Sequence, residues 1–321
     1  MGRINQELLK KFEEDLQNGI LTELLRELKK DDTISLEFRT DYISIYYRGG
    51  CVSKLTYNKN EKCYVDEFNS DYEKTKKSTE KINKLKTNED CVELIERIHA
   101  RKRIMNKYFK NSNEEKNKRE KIERQYQQII EWENNRYMES NYTITDIEYQ
   151  KGNDFRFDLI ALHRKRQKDY RNLKLSIIEL KYAAKSLEND SGVYQHYTDV
   201  NKMTEETIMD LINDTKFVID CKYKLGLIPL LESAKKEINI VTDGIDLIYF
   251  IANISLEQRE KLLKQLEKIN NDIKLSNNNK MIDVKIFCPY LAGNVMFDND
   301  ILSIDEFLKI NQLREELANR G

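Results

Sequence analysis

The chain has few residues that bend or break a backbone. Its 321 residues include two prolines and ten glycines. Long flexible or low-complexity linkers need more of both, so most of the length reads as folded. The three histidines, His99, His163 and His196, are too scattered to complete a zinc site. The five cysteines, Cys51, Cys63, Cys91, Cys221 and Cys288, form no C-x-x-C pair. Their odd number and wide spacing suggest free thiols in a reducing compartment, so a cytoplasmic location is expected. No apolar run approaches the roughly 18 residues of a membrane span, and the N-terminus is amphipathic rather than a signal peptide. No membrane partner is expected. With 55 basic and 56 acidic residues, the net charge of −1 gives no global attraction to nucleic acid. There is no Walker A loop, no dinucleotide fingerprint, no G-x-S-x-G and no internal repeat.

The chain is long enough to bury a sizeable core in one large or two modest domains. Residues 5–30 predict a helix, because Leu8, Phe12, Leu16, Ile20, Leu24 and Leu28 recur every fourth position. That stripe suits a core face or a homodimer contact. Residues 33–68 switch to an alternating pattern with turn signals at Thr40-Asp41, Gly49-Gly50 and Asn58–Asn60. They predict a small antiparallel meander of about four strands. Its Tyr47, Arg48 and Lys54 could meet nucleic acid, or simply be half-exposed sheet residues. Residues 70–88 read as a polar loop or linker, and 89–140 as long helices. Arg101 to Arg124 carries ten basic and four acidic residues, a local +6 (10 − 4). Such an arm could follow a phosphate backbone or be a solvated helix pair. The expected division is an N-terminal module over 1–75, a helical arm over 76–140 and a core over 141–321.

The core segment alternates strand and helix signals. Tyr142–Tyr149 alternates, with Tyr142, Ile144, Asp146 and Glu148 on one face. Two apolar runs follow, Phe155–Leu162 and Leu173–Tyr182. Helical patterns then separate a buried strand at Leu247–Ile251 from a last one at Val284–Pro289. Ser255 and Ser303 begin capping-box helices. The order is α/β.

Charge enters the two apolar runs. By strand alternation, Asp158 shares a face with Arg156 and Ile160, while Glu179 and Lys181 share a face with Ile177. Buried carboxylates need compensation, and Lys181 alone cannot neutralise two. A divalent cation could, and oxygen ligands suit Mg²⁺ or Mn²⁺. The alternative is a strand-to-strand ion pair with one solvated aspartate.

Phe157-Asp158 followed by Glu179-Leu180-Lys181 resembles the PD-(D/E)XK nuclease superfamily, over roughly residues 120–290. Phe157 stands where the motif often has proline. Gln195 occupies the place of a glutamine on the following helix, but Asp199, not tyrosine, stands four residues beyond it. The resemblance implies a restriction-endonuclease-like mixed sheet flanked by helices. It implies hydrolysis of nucleic acid, with DNA as the expected substrate. Asp158, Glu179 and the Leu180 carbonyl would hold Mg²⁺ or Mn²⁺. Lys181 would orient the attacking water, and Gln195 would position water or substrate. Glu131 or Glu133 could add an acidic group from the preceding helix, and Lys185 or the basic loop 163–172 could touch substrate. His163 and His196 are possible general bases or structural residues. The rival reading is a non-catalytic nucleic-acid-binding or assembly module on the same kind of fold.

Overall fold

The computed structural model of the chain describes residues 4–69, 72, 83–110, 115–136, 139–151, 155–164, 172–182, 192–228, 238–275, 282–289 and 293–318. The fold is α/β and divides into two compact units, 1–132 with 213–230, and 133–212 with 231–321. Among the described residues no helix is long and apolar enough to cross a membrane, and the five cysteines are free.

In the first unit, β1 (Ile34–Phe38), β2 (Tyr42–Tyr47), β3 (Gly50–Asn58), β4 (Cys63–Glu67) and β5 (Asn83–Leu85) form an antiparallel meander in sequence order. The fifth strand lies inside the stretch expected to be a loop; residues 70, 71 and 73–82 of that stretch are outside the described residues. The β2–β3 turn puts both Arg48 (φ 53°) and Gly49 (φ 71°) in the left-handed region. Two positive φ values give a turn whose twist matches a two-residue hairpin.

The single N-terminal helix expected from the stripe is two helices, α1 (Gln6–Asn18) and α2 (Thr22–Lys30). Gly19 is extended, and its N–H returns to the Asp15 carbonyl. The Asn5 side chain caps the start of α1 by accepting from the Leu8 N–H at 3.2 Å. The apolar stripe runs across the break, because Phe12, Leu16, Leu24 and Leu28 all pack into the core of the first unit. This unit also contains α3 (Asn88–Lys110), most of α4 (Glu115–Arg136) and the second half of α6 (Glu205–Lys224). Val218, Cys221 and Leu225 from the α6 segment join its core.

The second unit is built on a six-stranded mixed sheet ordered β11-β10-β9-β8-β7-β6. Its strands are β6 (Tyr142–Lys151), β7 (Phe155–His163), β8 (Leu173–Tyr182), β9 (Ile240–Ala252), β10 (Ile282–Phe287) and β11 (Ile301–Ser303). β6, β7 and β8 pair antiparallel, β8, β9 and β10 pair parallel, and β11 returns antiparallel on β10. From Ile245 to Ala252, β9 is buried throughout; the apolar run Leu247–Ala252 suits a central strand, and Asp246 is buried ahead of it. Around the sheet stand α5 (Val193–Asn201), α7 (Leu256–Leu275) and α8 (Ile304–Ala318). α7 and α8 both open with reciprocal caps. Ser255 N–H donates to Gln258 Oε1 at 2.8 Å, and Ser303 N–H to Glu306 Oε2 at 2.8 Å.

Candidate active site

Strand register brings the charged residues of β6, β7 and β8 into one row. Leu159 is opposite Ile178 and Ile160 is opposite Ile177. The paired ladder ends there, and just past it the Asp158 carboxylate accepts the Leu180 N–H, facing the Glu179–Leu180 step of β8. On the other side, the pairs Ile147–Leu159 and Tyr149–Phe157 bracket Glu148 and Asp158. Opposed residues of antiparallel strands share a face, with Cβ atoms about 4.5–5.5 Å apart. Glu148, whose φ of 53° interrupts β6 at that point, Asp158 and Glu179 thus lie near one another on successive strands, and the Glu148 charge acts on the Asp158 carboxyl. Asp146, opposite Ile160, belongs to the same face and is buried. Lys181 lies two residues beyond Glu179 on that face. In the parallel register with β9, Glu179 is beside Tyr249 and Lys181 beside Ile251.

Glu179 and Lys181 are 2% and 3% exposed, which makes them core charges rather than surface ones. Lys181 Nζ is 3.9 Å from Glu179 Oε2. Asp158 is half-buried, and its Oδ2 accepts the Leu180 N–H at 2.9 Å. Arg156 Nη2 donates to Glu148 Oε2 at 2.5 Å. Burial pushes the Asp158 carboxyl above the usual carboxylate range. The Lys181 charge, the Leu180 amide and Arg156 pull it back, and the Glu148 carboxylate adds to the upward shift. Burial, more than the neighbouring charges, sets the direction of the shift.

Helix α5 covers the row. Tyr249, fully buried beside Glu179, donates its hydroxyl to the Val193 carbonyl at 2.7 Å. One residue on, the Tyr194 amide donates to Gln265 Oε1 at 3.1 Å and its hydroxyl to Asp272 at 2.9 Å. These bonds fix α5 against β9 and α7. With α5 so docked, His196 Nδ1 lies 3.2 Å from Glu179 Oε2. Burial, and then the Lys181 charge, push the imidazole down to about 3, against the opposing effect of Asp199. The ring is neutral at ordinary pH. The neighbouring Gln195 donates instead along its own helix to Asp199 Oδ1 at 2.9 Å. The residue brought to the carboxylate row from α5 is therefore His196. Glu148, Asp146 and His196 complete the site beyond the motif; two acids at alternate positions of an apolar strand were the available signal for the first two.

The donor set suits a hard divalent cation. It offers carboxylate oxygens from adjacent strands, and burial pushes the Asp158 carboxyl towards its protonated form, a shift that a bound cation would oppose. Among the described residues, three side-chain ligand atoms come within 4.8 Å of one another only at Glu27, Asp31 and His99, in the first unit. A cation on Asp158 and Glu179 would therefore complete its shell with main-chain or water oxygen. The Glu27–Asp31–His99 trio already holds a cation of its own, since Lys102 Nζ contacts Asp31 and bonds Thr33 Oγ1 at 2.6 Å.

The other candidates are tied up elsewhere. Glu131 lies 4.0 Å from Lys222 in the first unit, and Glu133 Oε2 accepts the Asn294 N–H at 3.3 Å in the second. Tyr47 and Arg48 both bond Asn106, Arg48 also bonds Gln125, and Lys54 pairs with Glu67 at 3.1 Å. In the basic arm, Arg101 is buried on Asp66 at 2.8 Å and Lys102 pairs with Asp31. His163 is on the opposite face of the sheet from Glu179, stacked on Tyr142 at 4.7 Å and 2.7 Å from Asp298. There Lys174 and Lys285 each reach the fully buried Asp246 at 2.8 Å. Lys185 and residues 165–171 of the basic loop are outside the described residues. No known family profile, curated protein or solved structure matches the chain.

Proposed function

We propose that the chain is a metal-dependent phosphodiester hydrolase acting on nucleic acid, with DNA as its substrate, built on a restriction-endonuclease-like core. The observation that carries this reading is the Asp158 carboxylate accepting the Leu180 N–H at 2.9 Å just past the paired β7–β8 ladder, with Glu179 and Lys181 buried on one face of β8. Asp158 and Glu179 would hold Mg²⁺ or Mn²⁺, with the Leu180 carbonyl as a further ligand. A bound cation would supply Lewis-acid polarisation of the phosphate and a lowered pKa for its water. Lys181 is held by its burial with Nζ 3.9 Å from Glu179 Oε2. It is set to orient the attacking water and to offset charge developing on the phosphate. His196, neutral and 3.2 Å from Glu179 Oε2, holds that carboxylate in place from α5. Arg156, 55% exposed at the rim, is paired with Glu148, and the rest of its guanidinium would meet an incoming anion.

The test is cleavage of supercoiled plasmid, linear duplex, single-stranded DNA and RNA, with Mg²⁺, Mn²⁺ or EDTA. Metal-dependent cutting is expected in the wild type. It should be lost in Asp158→Ala, Glu179→Gln and Lys181→Met while the circular-dichroism spectrum is retained. Full activity in any of the three variants sinks the assignment. Absence of cutting together with absence of calorimetric Mg²⁺ binding would favour the non-catalytic nucleic-acid-binding module.

A further inference from the structure

A second polar site lies at the carboxyl ends of the parallel strands β9 and β10, where open α/β sheets characteristically bind ligands. The chain forms a cleft of about 290 Å³ there, between the end of β9, the start of α7 and one face of α8. Phe307, Asn311 and Arg314 line it from α8 at helical spacing, and Arg259 lines it from the second turn of α7. Arg259 is set in place by Asn311, whose Oδ1 accepts from both Nε (2.9 Å) and Nη2 (2.5 Å). Asn311 is itself 4% exposed, and its amide donates to the Phe307 carbonyl at 2.6 Å. A neutral amide therefore orients the guanidinium without cancelling its charge. Among the described residues Arg314 forms no ion pair, and none of those lining the cleft is acidic. Two arginines facing one cleft with no carboxylate between them form a site for an anion. The rest of the wall has an apolar part, Ile251, Ile254, Pro289 and Phe307, beside the polar Asn253 and Ser255. Ile251 is the register partner of Lys181, so the cleft begins one strand away from the carboxylate row.

We propose that this cleft binds one phosphate-bearing nucleotide unit, the arginines taking the phosphate and the apolar wall the base or sugar. Its source is either the nucleic-acid strand engaged at the Asp158–Glu179 row or a free nucleotide. The strand arm rests on the function proposed above; the free-nucleotide arm does not. The volume admits one such unit and is too small for a duplex. The neighbouring cavity of about 250 Å³ shares Cys288, Phe307, Asn311 and Arg314 but is also lined by Asp300, so the phosphate subsite is confined to the first cleft.

The experiment uses the full chain in EDTA, so that binding is read without cleavage. The probes are a short fluorescein-labelled oligothymidylate followed by anisotropy across a salt series, and 5′-AMP followed by calorimetry. For a strand site, Arg314→Glu should weaken the oligonucleotide about tenfold. It should also lower the slope of log affinity against log salt by about one, the signature of one lost phosphate contact. Arg314→Lys should keep the slope. For a free-nucleotide site, 5′-AMP binds the wild type, is lost in Arg314→Glu, and is not replaced by thymidine. Indifference of both probes to Arg314→Glu, or failure of both to bind, overturns the proposal. Arg314-dependent binding in a protein that cuts no substrate would leave the cleft standing and remove the nuclease reading. Cutting with Arg314-indifferent binding would do the reverse.

Discussion

Replacing Gly49 with alanine should destabilise the first unit by about 2–5 kcal/mol, from two separable causes. Gly49 has φ +71°, and a residue with a Cβ pays about 1–2 kcal/mol in that region. The new Cβ would also stand 2.2 Å from the carbonyl carbon and oxygen of Arg124, which are backbone atoms of α4. A helix backbone cannot rotate aside like a side chain, and forced overpacking adds about 1–3 kcal/mol. Retreat of the turn is opposed by the Gly49 N–H, which donates to Gln128 Oε1 at 2.8 Å. Gly50→Ala is the control. Its Cβ would meet the ends of two side chains, Met105 Cε at 2.2 Å and the Tyr72 hydroxyl at 2.9 Å, with no positive φ. Repacking those ends should cost about 1 kcal/mol. The assay is urea unfolding followed by the fluorescence of Trp132, the one tryptophan of the chain and a member of the first unit. In a thermal scan the Gly49 variant should lose about 4–20 °C, at about 2–4 °C per kcal/mol for units of this size. Equal midpoints for the two variants, or a cost below about 1 kcal/mol at Gly49, would refute the reasoning.

Two further perturbations address buried charge. Lys222 Nζ bonds both oxygens of Glu37 at 2.9 Å with neither side chain open to water, so Lys222→Met should cost about 3–5 kcal/mol. The double variant with Glu37→Met should recover much of that loss in urea unfolding, and a strictly additive double variant would show the pair is not coupled. His163 is held below the ordinary histidine range chiefly by burial, against the pull of Asp298. Because the folded state then binds fewer protons than the unfolded chain, this contribution is intact above about pH 6.5 and is lost as pH falls from there towards the depressed folded value. The slope should not exceed about 1.4 kcal/mol per pH unit, and it should vanish in His163→Gln; an unchanged pH profile in that variant would exclude His163 as the source.

The site was legible where a single strand's parity decides it. Asp158 interrupts one apolar run and Glu179 and Lys181 another, so alternation alone put each on a definite face. Which residues stand opposite one another depends on register. The β6–β7 register shifts between Ile144 and Asp146, and no local pattern encodes that. Glu148 thus looked like an ordinary strand acid until the register placed it across from Asp158. Gln195 and His196 show the same limit on a helix. Neighbours there point about 100° apart, and the one facing the sheet is decided by Tyr249 on Val193 and by Gln265 and Asp272 on Tyr194, tens of residues away. The pairing of the basic run from Arg101 was hidden for a related reason. Its first two cations are neutralised by Asp66 and Asp31, far from them in the chain. In α1 and α2 an unbroken apolar stripe concealed the stop at Gly19, because both helices bury the same face.

The first unit is discontinuous in the chain, and that sets an order on its birth. Its core takes Val218, Cys221 and Leu225, and its buried Glu37 takes Lys222, from a segment 185 residues downstream. At ribosomal speeds of about 5–20 residues per second, Glu37 waits about 10–40 seconds for its lysine to be made. Through that interval the nascent meander has an open flank and Glu37 lacks its lysine, the kind of surface that chaperones hold. A fragment ending near residue 140 would be arrested in that same state, so shortening the chain from its C-terminal side should release an insoluble N-terminal piece rather than a working module.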